Sequence, residues 1–100
     1  MIGIDLTTIS RFESVDLEWF SKRLGQTLET PRHAAKVWCC LEALIKAKGS
    51  RFDFKKIKLI FDVGQPPRVE DVDNILGGQY VLSLSHEGDL VTAVALRKDI

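Results

Sequence analysis

The chain has 100 residues, so we expect residues 1–100 to form a single small domain. Its 14 basic and 14 acidic residues give a formal net charge of zero, which argues against bulk nucleic-acid binding. No signal peptide or membrane span is visible, so we expect no membrane partner. The two cysteines, Cys39 and Cys40, are adjacent, a spacing that strains a disulfide, and we therefore expect reduced thiols and a cytoplasmic location.

The first segment predicts a strand. Residues 2–8 alternate between apolar and small or polar side chains. This alternation places Ile2, Ile4 and Leu6 on one face. Asp5 lies on the other face, together with Gly3 and Thr7. After this strand, residues 17–24 predict a short helix that ends at Gly25.

The strongest helix signal runs from Pro31 to Lys48. Thr30 is a good N-cap, Pro31 suits the first helical position, and Gly49 is a typical stop. At 100° per residue, Glu42 lies about 40° from Trp38, at the edge of the apolar stripe, and Lys46 lies about 40° further on. The helix therefore places a carboxylate and an ammonium side by side next to its buried face.

The C-terminal half predicts three strands. Residues 55–62 form the first, and residues 63–74 are rich in turn formers. Residues 80–85 and 90–97 predict a hairpin whose tight turn uses Gly88. The order of elements predicts an α+β fold, with a small antiparallel sheet and helices packed on one of its faces.

Three features suggest chemistry, and each has an ordinary structural explanation. Asp5 is either a satisfied edge carboxylate or a Mg²⁺ ligand. Glu42 and Lys46 form either a weak surface pair or a functional pair beside an apolar surface. The Ser83–His86 segment at a strand end is either solvated or suited to phosphate. The sequence has no P-loop, dinucleotide fingerprint or zinc spacing, and nothing ties a histidine to either cysteine for nucleophilic catalysis.

Taken together, these segments resemble the phosphopantetheinyl transferase superfamily in their order and approximate spacing. The strand Gly3-Ile4-Asp5 opens the chain, and residues 38–49 match the helix pattern Trp-x-x-Lys-Glu-Ala-x-x-Lys-x-x-Gly at every position except the first Lys. Gly64-Gln65-Pro66 resembles the Gly-Lys-Pro turn of the family. Ser83-Leu84-Ser85-His86 and an Ala/Val-rich strand follow, as the family pattern requires. The length and the segment 9–12 are similar to the short holo-acyl-carrier-protein synthase type.

The resemblance implies transfer of 4′-phosphopantetheine from coenzyme A to a serine of an acyl carrier protein, with release of 3′,5′-ADP. Asp5 and Glu42 would bind Mg²⁺, and Glu42 and Lys46 would be catalytic. The resemblance also implies a set of residues that hold coenzyme A: Gly49, Gly64, Gln65, Pro66, Ser85 and His86. The acidic carrier would meet Arg11, with Lys22 and Arg23 adding to the basic patch or simply being solvated.

The resemblance further implies a homotrimer with active sites between subunits. The sequence does not distinguish a carrier of fatty-acid biosynthesis from one of another acyl pathway. Leu41 replaces the usual Lys before Glu42, which predicts a lost cation beside the phosphate site, and Thr7 and Thr8 stand where many members have an acidic residue. These departures leave open a catalytically impaired member that serves as a carrier-binding or assembly subunit. A small interaction module unrelated to coenzyme A is the third hypothesis.

Overall fold

The computed structural model describes residues 1–98, so the last two residues of the expected domain lie outside the described part. The strands and helices follow one another in this order: β1 Ile2–Thr8, a 3-10 turn Ser10–Phe12, α1 Leu17–Leu24, α2 Pro31–Lys48, a 3-10 turn Phe54–Lys56, β2 Lys58–Ile60, β3 Arg68–Glu70, β4 Tyr80–Glu87 and β5 Leu90–Arg97. The predicted α+β class is confirmed. No helix in this part of the chain is long and apolar enough to cross a bilayer.

Both helices begin and end where the sequence predicts. The Asp16 carboxylate accepts from the backbone N–H groups of Glu18 and Trp19 at the start of α1. At the start of α2, the Thr30 hydroxyl accepts from the His33 N–H at 3.0 Å, which satisfies a donor that has no partner within the helix. Gly49 ends α2 with a φ of +85°, a left-handed conformation that costs glycine little.

Strands β1, β5 and β4 form an antiparallel sheet in that order. The register aligns Asp5 with Ala93, and Ala93 with Leu84. Strand β4 continues two residues beyond the predicted end, so His86 and Glu87 belong to the strand. The turn is therefore Gly88-Asp89 alone, with Gly88 at a φ of +56°.

The strand predicted over residues 55–62 is shorter in the structure. The Asp53 carboxylate accepts from the Lys55 N–H and starts a 3-10 turn, so β2 begins only at Lys58. Its partner β3, Arg68–Glu70, lies inside the segment that the sequence indicated only as turn-rich. A three-residue strand carries too little alternation to be recognised before its partner is known.

Helix α2 packs on one face of the β1-β5-β4 sheet, as predicted. Gly3 allows the closest approach, because a Cβ added there would lie 2.0 Å from the Ala43 carbonyl oxygen and 2.5 Å from the Ala47 backbone nitrogen. No described residue covers the opposite face of the sheet. Its apolar members on β1 are Ile2, Ile4 and Leu6, which are 57%, 56% and 63% exposed. Alternation correctly grouped these three residues, and the structure shows that theirs is the face the helix leaves open.

Candidate functional site

Asp5 lies on the face of β1 that meets α2. Its side chain is only 15% exposed, and its Oδ1 atom lies 3.1 Å from the Lys46 Nζ atom. The same Lys46 ammonium donates to the Ile4 carbonyl oxygen at 2.9 Å. A strand carboxylate and a helix ammonium that are 41 residues apart in sequence are thus brought together, and Lys46 offsets the cost of burying the Asp5 charge.

Glu42 lies on the same side of α2. It follows Cys39 by three residues and precedes Lys46 by four, and both of those side chains contact Asp5. The half-buried Glu42 carboxylate has no hydrogen-bond or salt-bridge partner within residues 1–98. Lys46 is paired with Asp5 rather than with Glu42, so the surface-pair explanation of the Glu42–Lys46 spacing does not describe this structure.

Leu41 lies on a different side of α2 from Lys46. It is fully buried at 0% exposure, and five residues of helix turn it about 140° away from Lys46. The expected loss of a cation beside the phosphate site at this position stays a prediction. The side chain at this position packs into the core of the described chain, on the far side of α2.

A cleft of about 560 Å³ brings together the predicted turn and the end of β4. Gly64, Gln65 and Pro66 line it together with His86, and Lys36 of α2 also borders it. The cleft carboxylate, Asp62, forms a salt bridge to Arg68 at 3.0 Å. The Lys36 ammonium, in contrast, has no hydrogen-bond or salt-bridge partner in the part of the chain that the structure describes. The cleft therefore keeps a net positive charge, which suits an anionic ligand.

Ser85 and Gly49 lie apart from this cleft. Ser85 is on the opposite face of β4 from Leu84 and His86, and it borders a shallow depression of about 200 Å³ with Leu6 and Thr92 on the uncovered sheet face. Gly49 is one helical turn beyond Lys46, and no atom lies within 4 Å of a Cβ built there. The end of α2 beside the Asp5–Lys46 pair is thus open.

The predicted site residues form two groups within one chain. Asp5, Glu42 and Lys46 lie at the β1 edge of the three-stranded sheet, whereas the Gly64–Pro66 turn and His86 lie at its β4 side. Strand β5 separates the two edges, which are about 10 Å apart at the usual strand spacing. The Asp5–Lys46 pair and the cleft therefore do not form one pocket in the isolated chain.

The three predicted partner-binding cations are exposed, and the two arginines among them lie over aromatic rings. The Arg11 guanidinium is 5.5 Å from the Trp38 ring centre, and the Arg23 guanidinium is 5.1 Å from that of Trp19. Phe20 contacts both tryptophan rings, so the two arginines border one aromatic cluster. Lys22 pairs with Glu18 at 3.8 Å, on a surface where both side chains are about four-fifths exposed and the pair contributes little to stability.

Sequence reasoning missed several residues around these groups. Lys36 was not expected in the cleft, although the sequence correctly places it on α2. Cys39 and Thr92 both donate to the Asp5 carbonyl oxygen, at 3.2 and 2.9 Å. No motif marks these contacts, because they join segments 34 and 87 residues apart in the chain.

Comparison with known proteins gives one consistent result. Residues 1–95 match the model of the 4′-phosphopantetheinyl transferase superfamily. A holo-[acyl-carrier-protein] synthase from Mycoplasma mobile is 35% identical, covering 99% of this chain and 90% of its own. The Helicobacter pylori holo-[acyl-carrier-protein] synthase structure superposes with a TM-score of 0.77 at 22% identity, over 98% of this chain and 100% of that one. The corresponding Neisseria meningitidis structure gives 0.78 at 21%, over 98% and 97%. The chain therefore belongs to the 4′-phosphopantetheinyl transferase superfamily, and to its holo-acyl-carrier-protein synthase type.

Proposed function

We propose that this protein transfers the 4′-phosphopantetheine group from coenzyme A to a serine hydroxyl of an acyl carrier protein, in a Mg²⁺-dependent reaction that releases 3′,5′-ADP. The observation that carries the proposal is the largely buried Asp5 carboxylate, held by Lys46 on the side of α2 that carries Glu42. The Mycoplasma mobile relative is named for this activity, and the Helicobacter pylori protein was solved in complex with coenzyme A.

Asp5 and Glu42 fit a magnesium site. Mg²⁺ keeps several waters and is usually bound through one or two carboxylates plus substrate phosphates. Within residues 1–98 no three His, Cys, Asp or Glu side chains cluster as an all-protein cage, so the substrate would supply the remaining ligands. When bound, the ion would neutralise charge on the pyrophosphate and orient it for in-line attack.

Glu42 and Lys46 have separate roles in the proposed reaction. The serine oxygen forms a bond to the pantetheine-linked phosphorus, and the bridging P–O bond to the adenosine phosphate breaks. Glu42, whose carboxylate has no partner within the described residues, takes the serine proton directly or through water. Lys46 contacts a phosphate oxygen and stabilises the charge that develops in the transition state.

The nucleotide part of coenzyme A would bind the cleft formed by Gly64, Gln65, Pro66 and His86. Gly49 would let the pantetheine arm pass close to the end of α2, where the space is open. Because this cleft and the two proposed metal-binding carboxylates lie at opposite edges of the sheet, a complete site needs two chains. A homotrimer of single-domain subunits meets this requirement. Ser85 would then join the site from the sheet face on which it lies.

The uncovered sheet face supports the trimer, since a patch that includes Ile2, Ile4 and Leu6 is costly to leave in water. Light scattering after size-exclusion chromatography tests this. Leu6→Glu is expected to yield monomers, while Val72→Glu, at an exposed site away from the sheet, keeps the trimer. A monomeric wild-type chain would contradict the proposal of a shared site.

The carrier would dock on the surface of Arg11, Lys22 and Arg23, whose charges suit an acidic helix. We place the protein in the cytoplasm, where thiols stay reduced, and the two free cysteines support this. The proposed transferase binds neither nucleic acid nor membrane.

The experiment that tests the transferase activity is a mass measurement on apo acyl carrier protein incubated with the enzyme, coenzyme A and Mg²⁺. Wild type should add one phosphopantetheine per carrier. Glu42→Gln should lower kcat/KM by ~10²–10³-fold, whereas Glu70→Gln on β3 should leave it unchanged. Carrier binding without any mass gain would instead support the impaired, carrier-binding member. Absence of both would favour the unrelated interaction module.

A further inference from the structure

The Asp5 main chain is held by two side chains from different elements. The Thr92 hydroxyl of β5 donates to the Asp5 carbonyl oxygen at 2.9 Å. The Cys39 thiol of α2 donates to the same oxygen at 3.2 Å. Thr92 pairs with Leu6 and therefore approaches from the uncovered face of the sheet, whereas Cys39 approaches from the helix face. The Asp5 peptide is thus fixed from both sides of the sheet.

The Cys39 thiol is fully buried between α2 and the sheet. It also donates to the Val91 carbonyl oxygen at 3.5 Å. A neutral donor can hold the Asp5 carbonyl without bringing a second charge next to the carboxylate.

The neighbouring cysteine provides an internal comparison. Cys40 is as fully buried as Cys39. Its thiol makes no hydrogen bond to Asp5. If removing any buried thiol from α2 weakens cation binding, the weakening should appear at both positions. If the contact with Asp5 is what matters, the weakening should appear only at Cys39.

We infer that Cys39 and Thr92 are positioning residues, which hold the Asp5 carboxylate at the place where it binds a divalent cation. An aspartate carboxylate is two torsions away from its backbone, so fixing the peptide confines the carboxylate. Lys46 adds a third restraint, because it bridges the Ile4 carbonyl oxygen and Asp5 Oδ1. This inference rests on the proposed function, in which Asp5 is a metal ligand.

The test measures cation affinity directly. Mn²⁺ binding is followed by the loss of the free-ion signal in electron paramagnetic resonance, a readout that does not depend on turnover. Cys39→Ala and Thr92→Val each remove one donor and should weaken Mn²⁺ binding about threefold to tenfold, and the double variant should weaken it further. Cys39→Ser and Thr92→Ser keep a donor and should restore the affinity to within about twofold of wild type. Cys40→Ala should leave it unchanged.

Activity gives a second readout. The Mg²⁺ concentration for half-maximal rate should rise in Cys39→Ala and Thr92→Val, while saturating Mg²⁺ recovers most of kcat. Equal weakening in Cys40→Ala, or no weakening in Cys39→Ala and Thr92→Val, would overturn the inference. If Cys39→Ala does not fold, Thr92→Val and its Ser counterpart decide the matter.

Asp5→Asn separates this inference from the function on which it rests. A large loss of Mn²⁺ affinity in Asp5→Asn, with none in Cys39→Ala and Thr92→Val, would refute the positioning role alone. Unchanged Mn²⁺ affinity in Asp5→Asn would refute the metal site itself, and the positioning role with it.

Discussion

Replacing Gly3 by alanine should separate β1 from α2 and disturb the site at the same time. The new Cβ would lie 2.0 Å from the Ala43 carbonyl oxygen, 2.5 Å from the Ala47 nitrogen and 2.9 Å from the Lys46 Cβ. Two of these neighbours are helix backbone atoms, which cannot rotate away. The strand and the helix must therefore move apart by about 1.4 Å, from 2.0 Å to the 3.4 Å at which ordinary contact begins.

The magnitude follows from this displacement. Overpacking of this kind costs about 1–3 kcal/mol, which for a domain of this size lowers Tm by roughly 5–20 °C. Asp5 is two residues further along the same face of β1 and would shift relative to Lys46. Since a misplacement of about 1 Å can cost ~10² in rate, kcat/KM should fall by about that factor.

Thermal unfolding by circular dichroism and the carrier mass assay measure the two effects. Gly78→Ala is the matched control, because its added Cβ would lie 3.0 Å from Arg97 Nε, within a side chain that can adjust. Gly78→Ala should stay within about 2 °C of wild type in Tm. A Gly3→Ala protein with wild-type Tm and kcat/KM would show that the close contact between β1 and α2 is not required.

Three further predictions concern stability. Leu44→Ala should lower the free energy of unfolding by about 2–5 kcal/mol in urea titrations. Val63→Ala, at a fully exposed position, should have almost no effect, and equal effects would contradict the burial of Leu44. Thr30→Ala should cost about 1 kcal/mol by the same titration, because it removes the N-cap of α2, and an unchanged midpoint would contradict this. The raised pKa values of Cys39 and Cys40 mean that the folded chain keeps two protons that the unfolded chain loses above the ordinary thiol value of 9.0. Their contribution to stability is therefore complete below pH 9 and is lost between pH 9 and 12, by about 1.4 kcal/mol per pH unit for each thiol. Replacing both cysteines by alanine should flatten this decline, and an unchanged slope would contradict the assignment.

Local signals in the sequence were sufficient for the long elements. The bounds of β1, α1 and α2 follow from alternation, N-caps and terminal glycines, which act within a few residues of where they stand. The strand that contains β2 was predicted too long and β3 was not predicted, because a strand of three residues is defined by its partner rather than by its own pattern.

In the candidate site, too, the sequence indicated some features and only the fold revealed others. The sequence marked Asp5, Glu42 and Lys46 by motif, but only the fold shows that Lys46 pairs with Asp5 and that Leu41 faces away from both. It also placed the Gly64–Pro66 turn near His86 by family order, and the structure brings the two together in one cleft.

By itself the sequence determined both helices, the strands β1, β4 and β5, and the residues that share each face. Only the tertiary structure decided which face of β1 meets α2, and that the Asp5–Lys46 pair and the cleft at Gly64–Pro66 lie at opposite edges of one sheet. The physical reason is the sequence separation over which each interaction acts. Side-chain alternation and helix capping involve residues only a few positions apart. The contacts of Asp5 with Cys39, Lys46 and Thr92, in contrast, span 34 to 87 residues and exist only once the chain has packed.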